Sequence, residues 1–145
     1  MRRTDPRWIR SRVRLREAAL RMAARAPIDR VSMGAIAAEA AVSRSTAYLH
    51  AASARELLED ALRTELDAFR ERRLRRVPPR DLAAARDAAA RDVIAHVERH
   101  ADVYRVGLRG GSGLSSLLRS HFADSMQMIL REHDIAPDIA PDAPP

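Results

Sequence analysis

The chain has 145 residues, enough for one compact unit or for a small head joined to a small body, and a formal net charge of +6. Hydrophobic residues make up 46% of the sequence but aromatic residues only 3%, so strand-favouring side chains are sparse and the helix formers Ala, Leu, Arg and Glu dominate. The absence of cysteine excludes disulfides, thiolate metal sites and a cysteine nucleophile. Because no apolar run approaches the roughly 18 residues of a membrane span, we expect a cytoplasmic, all-α protein with no membrane partner.

The positive charge is unevenly placed along the chain. Residues 1–76 carry 18 arginines and 10 acidic residues, whereas residues 77–145 carry 8 arginines and 10 acidic residues. The whole basic excess therefore lies in the N-terminal half. Such a half is typical of a protein that meets a polyanion, either nucleic acid or an anionic membrane surface.

Residues 1–53 predict a head of three helices. Seven arginines lie between residues 2 and 16 and form a basic N-terminal arm that runs into the first helix, which ends before Pro27. One apolar stripe of that helix consists of Ile9, Val13 and Leu20, and an adjacent one of Trp8, Leu15, Ala19 and Met22. Ser32 is a favourable N-cap for a second helix over residues 33–40, and Ser43 for a third helix that reaches about residue 50.

The remaining residues predict a connecting helix, a helical body and a tail. Ser53 and Glu56 have capping-box spacing and open a long fourth helix over residues 54–76, which the prolines at 78 and 79 end. The body, residues 77–134, comprises a fifth helix capped by Asp81, a short helical segment over 101–108, a glycine-rich turn over 110–113 and a last helix over 114–132. Residues 135–145 are rich in proline and are expected to form a flexible tail.

Apolar spacing in the body predicts which side chains face inward. On the fifth helix these are Leu82, Ala89, Val93 and Val97, and on the last helix Leu114, Leu117, Leu118, Phe122, Met126 and Ile129. A candidate ligand pocket for a small apolar effector is lined by Val93, Val97, Leu108, Leu118 and Phe122. The alternative is that these five residues are plain core and bind nothing.

Residues 35–50 carry the functional prediction. Two helices of about eight residues, joined by a tight turn and rich in small residues, have the spacing of a helix-turn-helix, whose second helix enters the major groove of DNA. Arg44 is placed to make a bidentate contact with guanine. The side chains expected to donate to phosphate oxygens are Ser43, Thr46, Tyr48 and His50. The basic arm can lie along the DNA backbone or enter the minor groove.

Residues from about 16 to 62 resemble the DNA-binding head of TetR-type transcriptional regulators. The resemblance is carried by Ala18-Ala19, Ser32, Ile36-Ala37, Ala40, Val42-Ser43, Thr46, Tyr48, His50, Ser53 and Leu57-Leu58. It implies that Arg44, Ser45 and Thr46 face the groove while Tyr48 and His50 hold phosphates. It also implies a ligand-responsive repressor that binds a palindromic operator in double-stranded DNA as a homodimer.

Three positions depart from the family pattern. The family usually has glycine in the turn where Ala41 stands, and a left-handed alanine there would cost roughly 1 kcal/mol. It usually has a large apolar residue in place of Ala47 and phenylalanine in place of Ala51, so we expect a core of smaller volume.

Other functions are weighed against this one. A protein-interaction or decoy module that pairs with a longer relative is the alternative to a DNA-binding regulator. His96 and His100, with Asp92 one turn earlier, could form a metal face, but histidines near a helix C-terminus are already explained by the helix dipole. We expect no metal, no cofactor and no enzymatic activity, because no set of nucleophile, base and orienting group can be assembled.

Overall fold

The computed structural model describes residues 5–109 and 113–133. Within these residues the chain forms seven α-helices and no strand, which confirms the predicted all-α fold. Two short 3-10 turns, Ile28–Arg30 and Pro79–Asp81, precede α2 and α5. The helices are α1 (Pro6–Ala23), α2 (Met33–Glu39), α3 (Arg44–His50), α4 (Ala54–Leu74), α5 (Leu82–Arg99), α6 (Ala101–Arg109) and α7 (Leu114–Glu132).

The head consists of α1, α2 and α3, and α2 and α3 start where the sequence predicts. The Ser32 hydroxyl accepts a hydrogen bond from the Ala35 N–H at 3.1 Å, and the Ser43 hydroxyl accepts one from the Thr46 N–H at 3.1 Å. Each serine thus satisfies one of the backbone donors that a helix start leaves unpaired. The head core is built from small and branched apolar side chains, including Leu15, Ala18, Ala19, Ile36, Ala47 and Leu58.

The predicted basic arm is largely part of α1. Arg7, Arg10, Arg12, Arg14 and Arg16 all lie within that helix, whose N-cap Asp5 accepts a hydrogen bond from the Arg7 N–H. The two remaining arginines of the arm lie outside the described residues. The helix starts so early because a proline at its first position is preorganised for helical geometry.

Of the two predicted apolar stripes of α1, the first is wrong in part and the second is confirmed in part. Ile9 and Val13 are exposed, whereas Leu15 and Ala19 of the second stripe are buried together with Ala18. The buried face of α1 is composed mainly of small residues, which allow close helix packing.

Helix α4 connects the head to the body. It packs against α1 on one side and against α5 and α7 further along its length. Ser53 caps it by accepting from the Glu56 N–H at 3.2 Å, while Glu56 Oε2 accepts from the Ala52 N–H at 2.7 Å. The capping box is thus formed with its return bond one residue earlier than the usual N-cap amide. Buried Leu57, Leu58, Ala61, Leu62 and Leu66 are shared between the two parts of the fold.

The body consists of α5, α6 and α7, and two predictions about it are wrong. Asp81 stands at the N-cap position of α5 but makes no side-chain cap bond, because it ends a 3-10 turn with helical rather than extended backbone angles. On α7 the buried residues are Leu114, Leu117, His121, Ser125 and Ile129. Phe122 and Met126, expected to be inside, are 54% and 53% exposed. The core-facing stripe of α7 is therefore shifted by about one residue from the predicted stripe around positions 122 and 126. The proline-rich tail lies outside the described residues.

Candidate nucleic-acid interface

The turn between α2 and α3 holds the two helices in a crossing arrangement. The Val42 N–H donates to the Ala37 carbonyl at 3.0 Å and the Ala41 N–H to the Ala38 carbonyl at 3.1 Å, the two bonds of a Schellman motif. Ala41 adopts a φ of 52°, the left-handed conformation predicted for it. Glycine normally occupies this position because a Cβ is strained there.

Small side chains at the crossing let α3 sit directly on the head core. Ala47, the buried residue of α3, is fully buried, and Ala37 of α2 is 2% exposed. Because α3 is anchored through this face, its opposite face is turned to solvent. The family's larger residue at position 47 is thus replaced here by a close approach of the helices.

The outward face of α3 carries the predicted base-reading residues. Ser43, Arg44 and Ser45 are exposed, and Thr46 is half-buried. Tyr48 is 47% exposed, and the Arg44 guanidinium lies 5.7 Å from the centre of its ring. Arg44 has no carboxylate partner among the residues that the structure describes. A free guanidinium on this face can make the paired hydrogen bonds that guanine offers in the major groove.

The first-turn hydroxyls of α3 form a small cluster. Ser43 Oγ lies 3.0 Å from Ser45 Oγ and 2.7 Å from Thr46 Oγ1, in addition to its cap bond. Hydroxyls that bond one another remain free to rotate and to donate to an incoming oxygen. Three of the predicted contacts are thus brought together at one end of the helix.

One residue of this face was missed by the sequence reasoning. Leu49 is 63% exposed, the most exposed large apolar side chain of the described residues. It lies four residues after Ser45 and so shares its face of the helix. That spacing was available in the sequence, and an exposed leucine on a recognition helix can contact the methyl group of thymine.

His50 does not lie on the recognition face. Its Nε2 atom is 2.8 Å from Ser11 Oγ, and its ring centre is 3.7 Å from that of Trp8. Its Nδ1 atom is buried and has no hydrogen-bond partner within the described part of the chain. Burial and the nearby charge of Arg12 lower the pKa of His50 below 6.5. The phosphate contact predicted for His50 is corrected to a contact that fixes the end of α3 to α1.

The five predicted pocket residues do not surround one cavity. Val93 is buried, while Val97 and Leu118 are partly buried against the main core. Leu108 and Phe122 are exposed. A groove of about 160 Å³ between α5 and α7 is lined by only two of the five, Val93 and Phe122, together with residues that include Leu74, Met126 and Ile129.

The three residues weighed as a metal face, Asp92, His96 and His100, do not come together as one group. Asp92 pairs with Arg72 at 2.9 Å and with Arg73 at 2.8 Å, away from the two histidines. His96 and His100 instead contact Glu65 of α4. Burial would raise the pKa of Glu65, but hydrogen bonds from His100 and His96 outweigh it and hold the pKa below 4.5.

These features define a class of protein. Two short helices joined by a tight turn, with the second helix anchored by small residues and presenting Arg44 outward, form a helix-turn-helix that binds DNA. No α-helix in the described ranges is long and apolar enough to cross a membrane.

Comparison with known proteins supports the resemblance of the head. Residues 15–61 match the family model described as "Bacterial regulatory proteins, tetR family". No curated protein and no solved structure matches the chain. The matched segment runs from the middle of α1 to the middle of α4 and includes the whole helix-turn-helix. Residues 15–61 therefore form a DNA-binding head of the tetR type, and the match supports a regulator of transcription.

Proposed function

We propose that the chain is a ligand-responsive repressor that binds a palindromic operator as a dimer, with α3 of each copy in the major groove. The observation that carries the proposal is the outward face of α3, where Arg44 stands beside exposed serines and pairs with no carboxylate of residues 5–109 or 113–133. A dimer places two such helices about one turn of DNA apart, which is why the operator should be palindromic.

The residues of α3 divide into base-reading and phosphate-binding groups. Arg44 reads guanine, Ser45 and Thr46 supply adaptable hydroxyls, and Leu49 contacts a thymine methyl. The Tyr48 hydroxyl donates to a phosphate oxygen, which positions the helix without specifying sequence. His50 takes no direct part, because Ser11 and Trp8 occupy its ring.

The groove between α5 and α7 supports a small apolar effector. Its volume of about 160 Å³ is close to that of a roughly 150 Å³ apolar cavity able to bind benzene. Leu74, the last residue of α4, lines it. Since α4 begins directly after the recognition helix, an effector that displaces Leu74 would move α4 and change the spacing of the two heads. Release of DNA follows, because both recognition helices must fit at once.

Exposed apolar residues of the body support association with a second copy. Ile94 of α5 and Phe122 and Met126 of α7 are each more than half exposed. Light scattering on the purified chain tests this directly, and a stable homodimer supports the regulator. A monomer that binds only a longer family member would support the decoy alternative instead.

Selection of bound sequences from random duplex DNA tests the recognition surface. Arg44→Ala should reduce the preference for guanine at one position of each half-site by about 1–3 kcal/mol. Tyr48→Phe should weaken binding to all sequences alike. Arg21→Ala is the matched control, because it also removes one positive charge from the head. Arg21 lies beside α6 and is paired with Glu39. If neither α3 variant changes affinity for the best sequence, the face is wrongly assigned.

A further inference from the structure

Three metal-ligating side chains converge between α4 and α5. His96 Nδ1 lies 3.0 Å from Glu65 Oε2, and His100 Nε2 lies 3.1 Å from each of the two Glu65 oxygens. One ligand atom from each of the three residues lies within 4.8 Å of the others. The two histidines share a face of α5 because they are four residues apart. Glu65 reaches them because α4 packs closely on α5.

We propose that Glu65, His96 and His100 bind one divalent transition-metal ion, for which Zn²⁺ is the probe. Two imidazoles and one carboxylate form a donor set suited to zinc and its neighbours rather than to Mg²⁺ or Ca²⁺. Ligands bound tetrahedrally at about 2.1 Å stand roughly 3.3–3.5 Å apart. The N–O distances of 3.0 and 3.1 Å are already close to that spacing.

Three nitrogens gather around one oxygen of the Glu65 carboxylate. Glu65 Oε2 lies within 3.1 Å of nitrogens from His96, Arg99 and His100. A neutral imidazole has one donor and one acceptor nitrogen, so both rings can direct a lone pair to an ion placed beside this oxygen.

The surroundings of His96 fit a ligating imidazole. The ring is fully buried, and its other nitrogen, Nε2, lies 2.9 Å from the Tyr104 hydroxyl. Metal-bound histidines commonly donate their second N–H to such a partner, which fixes the tautomer and the orientation of the ring. The phenolic oxygen of Tyr104 can accept such a hydrogen bond. Tyr104 is therefore a positioning residue of the site.

The fourth coordination position faces solvent. The side chains of Glu65 and His100 are 31% and 13% exposed, which leaves room for a water molecule as the remaining ligand. Arg99 approaches from the same side, with Nη1 3.0 Å from Glu65 Oε2 and a side chain that is largely exposed. Its positive charge opposes the ion, so Arg99→Gln should tighten binding.

Metal titration of the tag-free, chelator-treated full chain tests the proposal. Calorimetry with Zn²⁺ should give one ion per chain with a dissociation constant in the micromolar range or tighter, and Co²⁺ should give the visible absorption of a four-coordinate ion. Glu65→Gln and His100→Ala should each weaken binding at least 100-fold. Tyr104→Phe should weaken it about 10- to 100-fold while keeping the stoichiometry.

Asp92→Asn is the matched control, because Asp92 is also a carboxylate one turn from His96 but is bound by Arg72 and Arg73. It should leave zinc affinity unchanged. Circular dichroism establishes that each variant is folded. Wild-type protein that takes up no zinc, or binding that Glu65→Gln and His100→Ala leave intact, would overturn the proposal, as would an equal loss in Asp92→Asn. None of these results depends on DNA binding.

Discussion

The head and the body of this protein distribute polar and apolar side chains in different ways. Buried positions of the head are almost all aliphatic, as at Leu15 and Ile36, whereas the buried positions of α5 and α7 include His96, His121 and Ser125. The body also turns Phe122 and Met126 to solvent. The head is therefore a conventionally packed unit that presents polar residues for recognition. The body buries these polar groups among apolar residues such as Val93 and Leu117.

The largest expected effect comes from truncating a buried side chain of the head, compared with truncating an exposed one of the body. Ile36 is fully buried in the head, so Ile36→Ala should lower the free energy of unfolding by about 2–5 kcal/mol, the usual effect of truncating a core side chain. Phe122→Ala removes a larger but half-exposed ring and should change it by about 0.5 kcal/mol or less. Urea unfolding monitored by circular dichroism measures both. Equal losses would mean that the phenylalanine ring is buried and that the contrast between head and body does not exist.

The same contrast shows which features the sequence could reveal. The caps at Ser32, Ser43 and Ser53 were predicted correctly because a cap is a local bond to an amide three residues away. The left-handed turn at Ala41 was predicted from the resemblance, and the structure shows it. Local chemistry and the family pattern were thus enough to predict the helix starts and the turn of the head, and with them which face of α3 is turned outward.

Contacts between segments that are distant in the sequence could not be predicted from local chemistry. His50 was expected on the DNA surface because it belongs to the recognition helix. Its ring instead packs against Trp8 and Ser11 of α1, and Ser11 lies 39 residues earlier in the sequence. Glu65 was not connected with His96, 31 residues further on. On α7 the apolar pattern favoured Phe122, yet packing against α4 buries His121 instead. Each of these errors comes from a partner that spacing within one helix does not specify.

A smaller effect is expected from relieving backbone strain at one residue of the head and at one residue before the body. Ala41 in the head and Arg76 before the body are the two non-glycine residues with positive φ among those described, at 52° and 55°. Ala41→Gly relieves about 1–2 kcal/mol of left-handed strain and adds roughly 0.4–1 kcal/mol of chain entropy to the unfolded state. We expect the free energy of unfolding to rise by up to about 1 kcal/mol.

Two substitutions provide the comparison for Ala41. Arg76→Gly should also stabilise, since its backbone N–H can still donate to Glu132 Oε2. Ala35→Gly, inside α2, should destabilise by about 0.5–1 kcal/mol because glycine there only loses helix propensity. If Ala41→Gly behaves like Ala35→Gly, the turn does not hold position 41 in a left-handed conformation.

The smallest expected effect is the change in the free energy of unfolding that follows protonation of His50 in the head. The folded chain resists protonation of His50 because burial and Arg12 lower its pKa, with Arg16 acting in the same direction and Asp60 opposing them. The unfolded chain protonates near pH 6.5. The contribution of His50 to the free energy of unfolding should therefore be constant above that pH and fall as the pH drops from about 6.5 through the lower pKa of the folded state. His50→Gln should remove this contribution alone, because burial also lowers the pKa of His96 and His121 and their losses remain.

Trp8 allows the folded-state pKa to be measured directly. It is the single tryptophan of the sequence, and its ring stacks on His50 at 3.7 Å. Charging the imidazole should change tryptophan emission, with a midpoint below pH 6.5 in the folded wild-type chain and no transition in His50→Gln. A midpoint at or above 6.5 would place the ring in contact with solvent or with an anion. His50 would then be free to bind phosphate after all, and the anchor between α3 and α1 would have to be abandoned.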